Sequence, residues 1–60
     1  MYKVGDSVKI ITYAGDQEGH PIGSSGKVIK LDGALIMVVI DNDDEGFDWA
    51  CLAHELEPAQ

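Results

Sequence analysis

Apolar and polar positions alternate with period two from Ser7 and again from Phe47 to Leu52, which predicts strands there. Gly5 and Asp6 form a turn. Ser7 to Thr12 then reads as a first strand with Val8 and Ile10 inward and Lys9 outward. Tyr13 to Ile22 contains Gly15, Asp16, Gly19 and Pro21, residues that interrupt regular pairing, and is expected to be a long loop. Gly23 and Gly26 end that loop, because the absence of a Cβ lets the chain turn tightly before a second strand, Lys27 to Leu31. Asp32-Gly33 is a strong hairpin signal, and a third strand follows from Ala34 to Asp41.

The third strand departs from alternation, since Leu35, Ile36, Met37, Val38, Val39 and Ile40 are all apolar. An antiparallel strand with one wet face alternates, so this run predicts either two covered faces or one face that meets another molecule. Asn42 to Gly46 is a polar tip in which Gly46 takes a positive φ. Phe47 to Leu52 is a fourth strand with Phe47, Trp49 and Cys51 on one face and Asp48 and Ala50 on the other. Ala53-His54-Glu55 is expected as a single 3₁₀ turn and Leu56 to Pro58 as a short fifth strand. The whole is expected to be one all-β domain over residues 1–60: a small closed five-stranded barrel with a long first loop and a 3₁₀ turn before the last strand.

The succession of Val4-Gly5-Asp6-Ser7-Val8, the glycine-led Lys27-Val28-Ile29, an apolar strand ending in Ile40-Asp41, an aromatic strand, and the closing Glu55-Leu56-Glu57-Pro58 resembles small SH3-like barrels. Among these are KOW-type domains, the small peripheral barrel subunit of photosystem I and short phage-encoded barrels. The resemblance implies an SH3-like barrel; its KOW-type members use Lys and Arg beside the glycine loop to contact RNA or proteins. The start of the chain is also similar to plasmid-borne type II dihydrofolate reductase, whose active site lies in the pore of a tetramer. That family's Val-Gln-Ile-Tyr run is replaced here by Phe47-Asp48-Trp49-Ala50, so the residues that carry its chemistry are absent.

Charge changes the picture more than composition does. The chain has four Lys or Arg against eleven Asp or Glu, a formal net charge of −7. Residues 1–30 hold all four lysines and three acids, whereas residues 31–60 hold eight acids and no base. This one-sign half is suited to steering a basic partner, and it also allows a DNA-mimic inhibitor. Lys9, Lys27 and Lys30 sit near one another on the first two strands, but three lysines in a negative field neutralise few phosphates. The longest apolar run, Ala34 to Ile40, is far short of the ~20 residues a membrane helix needs, and no charged leader precedes an apolar run. A cytoplasmic protein is expected.

Candidate chemistry is sparse. Asp41-Asn42-Asp43-Asp44-Glu45-Gly46 matches the first half of an EF-hand loop, but position twelve, which needs a bidentate Glu, is Leu52. Cys51 and His54 have metal-like spacing, yet only His20 could add a further N or S donor, and zinc needs three or four ligands. Cys51 stands among Asp48, Glu55 and Glu57, which raise a thiol's pKa, so it reads as a buried small hydrophobe. Tyr13, His20-Pro21 and Trp49 fall where peptide-binding SH3 domains line a polyproline groove, without the closely spaced aromatic pair of the first strand. No cofactor, metal or catalytic residue is therefore expected. The expected function is a non-enzymatic protein-binding module or accessory subunit, in which self-association is one outcome. Its site would be an apolar strip of Ile29, Leu31, Leu35, Met37, Val39 and Trp49 with an acidic rim of Asp41, Asp43, Asp44, Glu45 and Asp48.

Overall fold

The computed structural model describes residues 2–12 and 22–59. The long loop expected between the first two strands lies outside the described residues except for Ile22, which is exposed. Its two ends are held together, as the Gly23 N–H donates to the Ile10 carbonyl at 2.7 Å and the Ile10 N–H to the Ser24 carbonyl at 3.0 Å.

Five antiparallel strands form one sheet: β1 (Ser7–Ile10), β2 (Ser25–Asp32), β3 (Leu35–Ile40), β4 (Asp48–Cys51) and β5 (Leu56–Pro58). A 3₁₀ turn, Ala53–Glu55, stands between β4 and β5, on the residues the sequence predicts. The strands lie in the order β4-β3-β2-β1-β5, so β4 and β5 are the edges and the expected closed barrel is an open sheet. The sheet is coiled all the same. Residues from all five strands are buried in one cluster with no second layer among the described residues to cover them, which requires the sheet to curl over itself.

Coiling turns one face into a core. Val8, Ile10, Val28, Ile36, Val38, Cys51 and Leu56 are buried, and Tyr2, Ile40 and Trp49 pack partly against them. Gly26 permits the curvature: it pairs with Val8 on one side and Ile40 on the other, and a Cβ there would collide with the Val39 carbonyl.

Two strand details differ from the sequence expectation. The hairpin pairs Asp32 with Leu35, so the loop is Gly33-Ala34 and not Asp32-Gly33. Gly33 has φ 58° and Ala34 is not among the positive-φ residues, the pattern of a turn that needs glycine at its first central position. The larger difference is a bulge in β2. Val28 pairs with Val38, but the next pairs are Lys30 with Met37 and Leu31 with Ile36, leaving Ile29 as an extra residue. Strict alternation from buried Val28 would have turned Lys30 into the core; the bulge turns it out and puts Leu31 on the core-facing side, where it stays 43% exposed.

Candidate functional site

Residues directly opposite on antiparallel strands share a face, so the register sorts the expected strip residue by residue. The outer face carries Lys27, Val39 and Asp48 in one row, Lys30, Met37 and Ala50 in the next, and Asp32 beside Leu35 in the last. Leu35 is 40% exposed, while Met37 and Val39 are half-buried. Lys27 and Lys30 stand directly opposite Val39 and Met37 on β2. Lys27 donates from Nζ to the Ser7 hydroxyl at 3.2 Å. Lys9 belongs to the same face, opposite Ser25 on β2 and Glu57 on β5. Three of the four lysines thus lie on one side of the sheet.

Leu31 and Trp49 do not join that strip. Trp49 pairs with buried Val38 and packs against the core, with the exposed Phe47 ring edge-on to it at a centroid distance of 6.5 Å. Leu31 pairs with Ile36 on the core-facing side. Ile29, in the bulge, is exposed and has no cross-strand partner in the ladder.

The acidic rim is a closed turn. The Asp43 N–H donates to the Ile40 carbonyl at 3.3 Å, the Gly46 N–H to the Asp43 carbonyl at 3.2 Å, and the Glu45 N–H to Asp43 Oδ1 at 3.1 Å. Gly46 has φ 68°, as its place in the tip demands, and Asn42 shares the left-handed region at φ 65°. The Asp41 N–H donates to Ser25, which ties the start of the tip to β2. Asp41, Asp44, Glu45 and Asp48 are exposed. Among the described residues, no three His, Cys, Asp or Glu side chains gather as a metal would need.

Cys51 is buried and its thiol is pushed up to about 11, first by desolvation and then by the charge of Glu55. Of the three acids the sequence sets near it, Glu55 alone contributes; Asp48 is on the outer face and Glu57 faces Lys9. The sequence places Glu55 in the 3₁₀ turn and near Cys51 but gives no sign that its side chain is buried, as it is. Glu55 Oε1 accepts from the Leu52 N–H at 2.8 Å, the Glu55 N–H donates to the Leu52 carbonyl at 2.9 Å, and the Glu55 carbonyl accepts from the Ile11 N–H at 2.9 Å. The segment from Leu52 to Glu55 is thereby clamped on itself and onto the end of β1.

That clamp forms one wall of a feature the sequence pattern did not predict. An apolar groove of about 770 Å³ opens at the end of the coiled sheet, between the β2–β3 hairpin and the segment leading into β5. Leu31 and Ile36 supply one wall, Leu52 and His54 the other, and Tyr2 an end. Leu31 is 43% exposed and Leu52 37% exposed, so the groove presents its side chains to solvent. Its residues come from three separated segments, which explains why no local period announced it.

No protein-family model, curated protein or solved structure matches the chain.

Proposed function

We propose that the chain is a non-enzymatic binding module or accessory subunit, an SH3-like barrel open along the seam between β4 and β5, whose partner is a basic protein. The five-strand order, the one-sided core and the 3₁₀ turn before β5 support the architecture. One observation carries the function: large apolar side chains remain exposed after the core is filled, in the half of the chain that holds eight acids and no base. Leu31, Leu35, Phe47 and Leu52 in that half are each more than a third exposed, as are Val4, Ile11, Ile22 and Ile29 in the other. Apolar surface gives affinity when it is desolvated, and a field of one sign raises the encounter rate with the opposite sign.

The test is retention on the immobilised chain from a lysate of its host, run beside Leu35→Asp and Leu31→Asp. The reading predicts a basic protein held in stoichiometric amount by wild type and released by one of the two folded variants. Identical retention by all three contradicts it.

The lysine face supports a second reading, a KOW-like nucleic-acid contact through Lys9, Lys27 and Lys30. Three phosphate contacts predict a log affinity that falls by about 2.7 per log unit of salt on duplex DNA. A labelled duplex whose binding is unchanged in Lys27→Gln/Lys30→Gln removes this reading.

A further inference from the structure

The outer face of the sheet carries its charges in an order that a second copy of the same chain complements. Its apolar positions run along β3, where Leu35 is exposed and Met37 and Val39 are half-buried. Lys27 and Lys30 border this strip on the β2 side, while Asp48 and Ala50 border it on the β4 side. Lys27, Val39 and Asp48 occupy one row across three strands, so a cation and an anion stand on opposite sides of an apolar line. Adjacent strands lie about 4.8 Å apart, which sets the Lys27 and Asp48 backbones roughly 10 Å from each other with Val39 between. Lys27 turns its ammonium the other way, to the Ser7 hydroxyl on β1 at 3.2 Å, and among the described residues no ion pair engages Asp48. The chain carries −7 overall, and the three lysines gathered on this face reduce the repulsion that another copy meets there.

We infer that this face is a self-association surface: a second copy packs on it about a two-fold axis running along β3, with Lys27 of each copy over Asp48 of the other. A closed two-fold contact needs a patch complementary to itself, in which one position meets another and the exchange is returned. The Lys27–Val39–Asp48 row has that property. Half a turn about β3 exchanges the β2 side with the β4 side, so Lys27 meets Asp48 twice and Lys30 meets Ala50 twice. Leu35, Met37 and Val39 lie on the axis and meet their own counterparts. An axis across the strands, through the next row, would instead set Lys30 against Lys30, and like charges disfavour it. The sheet curls around its core, so this face is convex and the contact is narrow, which places the dimer among the weak, concentration-dependent assemblies. The ion pairs at its flanks fix the register and the choice of partner more than the affinity. This goes beyond the binding-module reading: the partner is the chain itself, on the side of the sheet away from the groove.

The test is sedimentation equilibrium of the full chain up to millimolar concentration, beside Lys27→Asp, Asp48→Lys and an equimolar mixture of the two. Wild type is expected to dimerise, and each variant alone to do so at least about tenfold more weakly, because each sets like charges face to face at both flanks. The mixture is expected to recover dimers holding one copy of each, since every introduced charge then meets its opposite. Met37→Asp, on the axis, is expected to lose the dimer, whereas Leu31→Gln, on the other side of the sheet, keeps it. Ala50→Lys and Ala50→Glu, over Lys30 of the second copy, serve as a further pair should Lys27→Asp lose its dispersed amide spectrum: the first weakens the dimer and the second strengthens it. Amide shifts on dilution are expected at Lys27, Met37, Val39 and Asp48. A strict monomer at millimolar concentration overturns the inference, as does a dimer whose dilution shifts centre on Leu31, Leu52 and His54. A mixture that associates no better than its components overturns the axis along β3, and with it the pairing of Lys27 with Asp48.

Discussion

Gly26 and Cys51 show how single positions shape the coiled sheet. Gly26 lies where β2 passes closest to β3: a Cβ there would meet the Val39 carbonyl carbon at 2.9 Å and Ile40 Cα at 3.0 Å, both backbone atoms that cannot rotate away. Gly26→Ala is expected to cost about 2–3 kcal/mol in urea unfolding, at the upper part of the range for overpacking. A cost below about 0.5 kcal/mol would mean that the strands separate without strain. Cys51 predicts a pH dependence of defined sign. Its folded pKa, about 11, lies above the 9.0 of a free thiol, so the folded state holds the proton more tightly than the unfolded state. The associated stability is fully present below pH 9 and is lost as pH rises through 11, on the order of 2 kcal/mol in total. The diagnostic is the difference from Cys51→Ala, in which every other group's contribution cancels. Urea midpoints should fall more steeply between pH 9 and 11 in wild type than in the variant, and parallel curves would contradict the assignment.

At the scale of elements, the sequence was most informative where one pattern governed a whole strand. Val8 and Ile10, Ile36 and Val38, and the pair Trp49 and Cys51 face the core as period two predicts, and the 3₁₀ turn and β5 fall on their expected residues. Faces went astray after Val28, where a period-two reading puts Ile29 and Leu31 together. The conflict was nevertheless written into the chain, because that same reading buries the ammonium of Lys30, and a one-residue bulge resolves it. Cross-strand nuclear Overhauser contacts should join Lys30 to Met37 and Leu31 to Ile36; contacts joining Ile29 to Met37 and Lys30 to Ile36 would show a regular ladder. The hairpin makes a second element-scale prediction. Gly33 has φ 58°, so Gly33→Val is expected to destabilise the chain by about 1–2 kcal/mol, whereas Ala34→Ser is nearly neutral in the same unfolding assay. The groove was not legible because Tyr2, Leu31 and Leu52 meet only through the coil of the whole sheet. Glu55 gave no signal of burial either, since a carboxylate in a terminal turn is usually solvated and only the clamp onto Leu52 takes it inside.

For the whole molecule, the governing fact is the ratio of interior to apolar side chains. A chain of about 60 residues buries only about 60% of the surface it exposes when unfolded, and among the described residues the core closes around seven side chains. The rest of the apolar set is divided by the bulge. Met37 and Val39 stay on the lysine-bordered outer face, while Leu31 moves to the other side of the sheet and joins Leu52 in the groove. If these two leucines serve a partner, the fold does not need them apolar. Equilibrium urea unfolding of Leu31→Gln and Leu52→Gln tests this most directly, with Ile10→Ala as the core reference. Each leucine variant is expected to lose about 1 kcal/mol or less, against about 2–5 kcal/mol for the buried isoleucine. Losses of more than about 2 kcal/mol at both leucines would make them core residues and contradict the account of the groove as a surface left for another molecule.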